Sequence, residues 1–107
     1  SCGYCASKSG LEGMMKVFAK EYADKGKTFM CIAPGGVDGT KMAEDVIQGL
    51  QRTRGMSREE AEKYSRQSPM GRNGTHEEVW KVFDFAVNCA PDYMTGTVLR
   101  MTGGIGV

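Results

Sequence analysis

Long apolar runs are absent from this sequence. None approaches the roughly 20 consecutive residues of a membrane-spanning helix, so no membrane span is expected. An excess of charge of one sign is absent too: 14 Lys and Arg stand against 13 Asp and Glu, a formal net charge of +1. With basic residues scattered among acidic ones and aromatics at 8%, there is no electrostatic case for a nucleic-acid or acidic-lipid partner. Histidine is nearly absent. His76 is the only one, so the C-x-x-C of Cys2 and Cys5 lacks the further ligands a zinc site needs, and no metal is expected. His76 itself falls at a helix start and reads as a solvated residue. There is no initiator Met and no signal or transit-like segment. The chain opens at Ser1 and runs straight into a helix, which reads as a piece of something longer.

What is present suits one small α/β domain. The 107 residues are 40% hydrophobic and 25% charged, the composition of a globular chain. Apolar residues at Leu11, Met14, Met15, Phe18, Ala19 and Tyr22 have helical spacing and predict a helix over residues 4–25, stopped by Gly26. Residues 28–33 read as a strand. Phe29, Met30, Cys31, Ile32 and Ala33 are apolar without alternation, the pattern of a strand covered on both faces. Within residues 41–66 two short helices are expected, the second opened by a Ser57/Glu60 capping box and mostly polar, as a surface lid would be. A loop at residues 68–74 leads to a second capping box, Thr75/Glu78. It opens an amphipathic helix over residues 75–88 with Val79, Val82, Phe83, Ala86 and Val87 on one face. A last strand is expected at residues 97–101. Helix, strand, helices, strand implies a right-handed crossover between parallel strands.

Two strands are too few for that pattern. Exposing the apolar side chains of the first strand would forfeit roughly 1.5–3 kcal/mol for each large one. Four of them together rival the whole stability of a small domain. The expectation is that more sequence or a neighbouring subunit covers the strand at residues 28–33.

The stretch YCASK carries the chemistry. Tyr4 and Lys8 are four residues apart, one helical turn, so the ammonium can lie beside the phenol. A phenol titrates near 10, and a neighbouring cation favours the phenolate and lowers that value. Such a tyrosine can protonate an alkoxide as hydride reaches a carbonyl carbon. By itself the pair is common on surface helices.

Four longer stretches give it a context. YCASKSGLEGMMKVFAKEYADKG resembles the active-site helix of the short-chain dehydrogenase/reductase family, with its Tyr-x-Ala-Ser-Lys signature. Ala33-Pro34-Gly35 is similar to that family's Pro-Gly turn beside the nicotinamide. SPMGRNGTHEEV and PDYMTGTVLRMTGG resemble the loop, last helix, last strand and tail of its bacterial-type 3-oxoacyl-acyl-carrier-protein reductases. The resemblance implies the C-terminal part of a Rossmann-like, doubly wound parallel sheet: two strands and three to four helices, without the N-terminal dinucleotide-binding half. It implies that Tyr4 is the catalytic acid/base, and that Lys8 lowers its pKa and bonds the nicotinamide ribose. It places Pro34 and Gly35 along the nicotinamide pocket, the Val37 backbone near the carboxamide, and Thr40 near the carboxamide and pyrophosphate. The implied cofactor is NADP or NAD, and the implied substrate a carbonyl compound or secondary alcohol, a 3-oxoacyl thioester in the acyl-carrier subclass.

Three positions depart from the family pattern. PGGVDGTKM is one residue longer between Pro34 and Thr40, Met30 replaces an asparagine, and Thr102 replaces an aspartate. The family's glycine-rich turn, catalytic serine, upstream asparagine and adenosine-binding acid do not occur in these 107 residues. This stretch alone is therefore expected neither to bind a dinucleotide nor to turn over. Two readings stay open: part of an NAD(P)(H)-dependent reductase, or a non-catalytic, truncated accessory subunit of a larger assembly. Family resemblance also implies a homo-oligomer, paired through the Tyr4 helix and through the last helix and strand. An intracellular, reducing compartment is expected, whether cytosol, plastid or mitochondrion.

Overall fold

The computed structural model describes residues 2–106. Its helices are α1 (Cys2–Tyr22), α2 (Lys41–Arg54), α3 (Arg58–Ser65) and α4 (His76–Asp84); its strands are β1 (Cys31–Pro34) and β2 (Val98–Met101). Cys31 N–H donates to the Thr97 carbonyl at 3.1 Å, and Gly35 N–H to the Met101 carbonyl at 2.8 Å. The pairing advances in the same direction along both strands, so they are parallel. Two parallel strands with four helices make an α/β arrangement.

The chain divides into two compact units. One holds the chain up to Ala33 and Val82–Leu99; the other holds Pro34–Lys81 and the chain from Arg100 onward.

In the first unit, α1 packs its Phe18 and Tyr22 rings on Phe29, with centroids 5.7 and 5.9 Å from the Phe29 ring. Met15 and Ala19 of the same helix are buried. The helix gives way at Ala23–Lys25 to a tighter 3₁₀ turn, and Gly26 ends it at φ +68°, where a side chain would be strained. Strand β1 begins at Cys31, three residues later than the start expected at residue 28. The reason lies in polar bonds: Thr28 Oγ1 donates to Asp92 Oδ1, Phe29 N–H donates to Thr95 Oγ1, and the Phe29 carbonyl accepts from Gly96 N–H. These tie residues 28 and 29 to a turn instead of a strand. Helix α4 also stops short of residue 88. Phe85–Cys89 form a wider π turn closed by Ala90 N–H on the Phe85 carbonyl at 2.7 Å, and Pro91 prevents continuation.

In the second unit, α2 runs to Arg54 and stops at Gly55, φ +63°. Ser57 caps α3, its Oγ accepting the Glu60 N–H at 3.1 Å while the Glu60 carboxylate accepts the Ser57 N–H at 3.4 Å. The Arg58 guanidinium grips both oxygens of Glu44, at 2.6 and 2.8 Å, and joins α3 to α2. That contact holds the Glu44 carboxyl below its ordinary 4.5, with Gln48 assisting, and pushes Arg58 up. Ala61 is fully buried.

Large apolar side chains stay open to solvent. Leu11, Met14 and Val17 of α1 are each about half exposed, and Cys31, Ile32 and Ala33 of β1 are only half-buried. Among the described residues, Met15, Ala19 and Ala61 alone are buried.

Candidate functional site

Tyr4 and Lys8 lie on the exposed side of the first two turns of α1. Helical spacing brings them together as expected: Lys8 Nζ sits 5.5 Å from the centroid of the Tyr4 ring. The tyrosine is half exposed. Ser7 Oγ donates to the Tyr4 carbonyl at 2.8 Å, a local helix bond that occupies the hydroxyl.

Pro34, Gly35, Val37 and Thr40 stand together in the second unit, in the turn that leaves β1. Val37 forms a single parallel bridge with Gly74. Through it the Gly74 N–H donates to the Gly36 carbonyl at 2.8 Å and the Asp38 N–H to the Gly74 carbonyl at 3.0 Å. The peptide groups on either side of Val37 are thus committed to the neighbouring loop. In such a bridge, Val37's own N–H and carbonyl point the other way. The carbonyl accepts from Thr40 Oγ1 at 3.0 Å, and the N–H donates to no group among the described residues. An open backbone donor on a pinned turn suits a carbonyl or amide oxygen.

Thr40 has a local task. It is the N-cap of α2, its Oγ1 accepting the Ala43 N–H at 3.1 Å. Its one hydroxyl proton goes to Val37, which leaves Thr40 only spare acceptor capacity toward any ligand. A cavity of about 330 Å³ opens beside the turn, lined by Pro34, Val37, Ser68, Met101 and Thr102. It lies beyond the C-terminal ends of the strands, where ligands of open α/β sheets bind. Gly35 does not line it.

Sequence reasoning missed two residues here. Asn73 Nδ2 donates to Asp38 Oδ1 at 2.8 Å, a side-chain clamp between the turn and the loop at residues 68–74. Paired glycines with a residue to spare in PGGVDGT were the only signal, and they do not identify the partner 35 residues away. The neighbouring Arg72 bonds Glu78 at 2.7 and 3.2 Å and the Asn73 carbonyl at 3.0 Å. Arg72, with Thr75, holds the Glu78 carboxyl below 4.5. No cluster of metal-ligating side chains occurs among the described residues, and none of their helices is long and apolar enough to cross a membrane. His76 is exposed and stacks its ring edge toward Gly39.

Comparison with known proteins follows the same lines. Residues 2–106 match the family model described as Enoyl-(Acyl carrier protein) reductase. A short chain dehydrogenase family protein from Francisella tularensis superposes with a TM-score of 0.87 at 27% identity, over 96% of this chain and 43% of its own. The chain belongs to the short-chain dehydrogenase/reductase family. It corresponds to the family's C-terminal portion. The actinorhodin polyketide ketoreductase, solved with NADPH, superposes with a TM-score of 0.89 at 30% identity, covering 99% of this chain and 41% of that one. A 3-oxoacyl-[acyl-carrier-protein] reductase of Buchnera aphidicola is 36% identical over 98% of this chain. A chloroplastic NADPH-dependent aldehyde reductase-like protein of Arabidopsis thaliana is 33% identical over 94%. This short-chain dehydrogenase/reductase chain spans 40% of the Buchnera protein's length and 34% of the Arabidopsis protein's.

Proposed function

We propose that this chain is the catalytic C-terminal portion of an NAD(P)(H)-dependent short-chain reductase of carbonyl substrates. Placement of Lys8 over the Tyr4 ring, 5.5 Å from its centroid, on the first turns of α1 carries the reading. When bound, the nicotinamide supplies the hydride. Tyr4 Oη gives its proton to the substrate oxygen as that oxygen gains charge, and Lys8 stabilises the phenolate left behind. Lys8 also has reach to bond a ribose hydroxyl. The open Val37 N–H fits a carboxamide oxygen, and Pro34 and Gly35 keep the turn narrow beside it. Thr40 serves this end by shaping the turn and capping α2. The residues present suit the nicotinamide end of NADP or NAD. The 3-oxoacyl-[acyl-carrier-protein] reductases among the curated relatives favour 3-oxoacyl thioesters as the substrate class. In the whole protein, the rest of the domain and neighbouring copies of the chain cover the half-exposed apolar faces of α1 and β1.

The test uses the full-length protein, a 3-oxoacyl thioester and NADPH, followed by loss of nicotinamide absorbance. Tyr4→Phe is expected to lower kcat by about 10²–10⁴-fold, the range of a positioned general acid. Lys8→Met should lower it as well. Full activity in Tyr4→Phe removes the role given to the tyrosine. Wild-type protein that neither binds nor oxidises NADPH or NADH supports the non-catalytic accessory subunit instead.

A further inference from the structure

The turn at residues 34–40 has little side-chain packing of its own to hold it. Gly35, Gly36 and Gly39 contribute no side chain, and Pro34, Asp38 and Gly39 are exposed. Yet an open donor such as the Val37 N–H is useful only if it points in a fixed direction. Two main-chain bonds to Gly74 supply part of the constraint, but they share one peptide bridge and can open as a unit. Gly35 N–H on the Met101 carbonyl and Thr40 Oγ1 on the Val37 carbonyl add to it. The Asp38–Asn73 bond is the tie between side chains of the turn and the loop, and it is charge-assisted at 2.8 Å.

Gly36 shows how the clamp is fitted. A Cβ on Gly36 would lie 2.7 Å from Asn73 Oδ1 and 3.2 Å from its Cγ. The Asn73 amide therefore fills the direction in which any other residue at position 36 would place its side chain. Gly36 does not have a positive φ, so its backbone does not demand glycine; a side chain there would push the Asn73 amide aside. The Asn73 amide is held at one end by Asp38, and its own backbone is held by Arg72 on the Asn73 carbonyl at 3.0 Å.

We infer that Asp38 and Asn73 are positioning residues for the nicotinamide end of the cofactor: they lock the turn so that the Val37 N–H stays aimed, and Gly36 is the vacancy that admits the clamp. The identity of the ligand rests on the proposed function; the clamp itself does not.

The experiment is a double-mutant cycle in the full-length protein, comparing wild type, Asn73→Ala, Gly36→Ala and the double variant. NADPH is the probe, and nucleotide KM and kcat are read separately. Each single substitution is expected to raise nucleotide KM about three- to tenfold, the range of one net hydrogen bond, and by more than it lowers kcat. In the Asn73→Ala background, Gly36→Ala should add less than about twofold, because the methyl enters space the amide has left. Asp38→Ala should match Asn73→Ala, whereas Asp38→Asn, which keeps an acceptor oxygen, should restore most of the affinity. Additive effects, an unchanged KM, or equal failure of Asp38→Asn and Asp38→Ala overturns the proposal. Hydrogen exchange at the Asp38 and Gly74 amides gives a readout without nucleotide, and it should quicken in Asn73→Ala and Gly36→Ala. Unchanged exchange overturns the clamp whatever binds. Quickened exchange in the variants, together with a wild-type protein that binds no nicotinamide nucleotide, upholds the clamp and overturns the functional reading.

Discussion

Ser57→Ala isolates the contribution of a single cap. Helix α3 is only eight residues long, and Ala61 is its one buried side chain. A helix of about two turns does not persist on propensity alone, so its end contacts matter more than usual. Ser57 Oγ accepts the Glu60 N–H at 3.1 Å, good geometry, whereas the return bond from Ser57 N–H to Glu60 Oε2 is long at 3.4 Å. Nearly all the effect should therefore sit in the hydroxyl, a loss of about 1 kcal/mol within a range of 0.5–2. That corresponds to about fivefold in a local opening equilibrium. Because α3 is joined to α2 by the exposed Arg58–Glu44 pair and the buried Ala61, opening should be confined to this segment. Amide hydrogen exchange on the full-length protein reads it directly: residues 61–65 exchange about five times faster, while α1 and α4 keep their rates. Ser57→Asp should retain protection, since a carboxylate accepts the same bond and suits a helix N-terminus. Glu60→Ala should cost less than Ser57→Ala. Unchanged exchange in Ser57→Ala, or equal acceleration in α4, would show that the cap does not govern this helix.

Other perturbations test separate parts. Glu44 and Glu78 are held below 4.5 by Arg58 and Arg72, so each stabilises the fold fully above the unfolded carboxylate pKa and loses that contribution as pH falls through its lower folded value. Urea midpoints should drop as pH is lowered from about 5 into the acid range, and Glu44→Gln plus Glu78→Gln should flatten that slope; an unchanged slope would count against the assignment. Gly103→Ala should destabilise by about 2–4 kcal/mol, since φ is +62° and the new Cβ falls 2.8 Å from Ser68 Cβ. Gly106→Ala, at φ +77° with open space around it, should cost about 1–2 kcal/mol, and equal losses at the two sites would refute the steric part.

Helices were legible from spacing and caps because both are local. Ser57/Glu60 and Thr75/Glu78 place the starts of α3 and α4, with Thr75 Oγ1 accepting the Glu78 N–H at 3.1 Å. The Tyr4–Lys8 juxtaposition follows from the same local geometry. The start of β1 was not legible, because Thr28 and Phe29 are claimed by Asp92 and Thr95, more than sixty residues away. Apolar continuity reports burial, not ladder pairing, and here the two part company. Thr40 is instructive in another way. Resemblance assigned it to the cofactor, but a threonine directly before the Lys41 helix is also an N-cap signal, and the hydroxyl serves that cap. The clamp at Asp38 and Asn73 joins residues with no shared periodicity, so no spacing rule reaches it.

These closures explain how a site can be well shaped where so little is buried. The ties that fix the turn and its supporting loop are polar: Gly74 on either side of Val37, Asp38 with Asn73, Arg72 with Glu78, Thr40 with Val37 and Ala43. None draws on a hydrophobic core, and each closes within the second unit. The local shape around the Val37 N–H is thus set by directional bonds of short reach. Apolar burial, which is non-directional, has a different task. On the function proposed above it comes from cover over Leu11, Met14, Val17 and Ile32, and it would set the overall stability of the domain without choosing the direction of that donor. Losing apolar cover should lower stability globally, while breaking a polar tie should loosen one turn and leave the rest. A site governed this way tolerates change in its apolar surroundings better than change at Asn73 or Gly36.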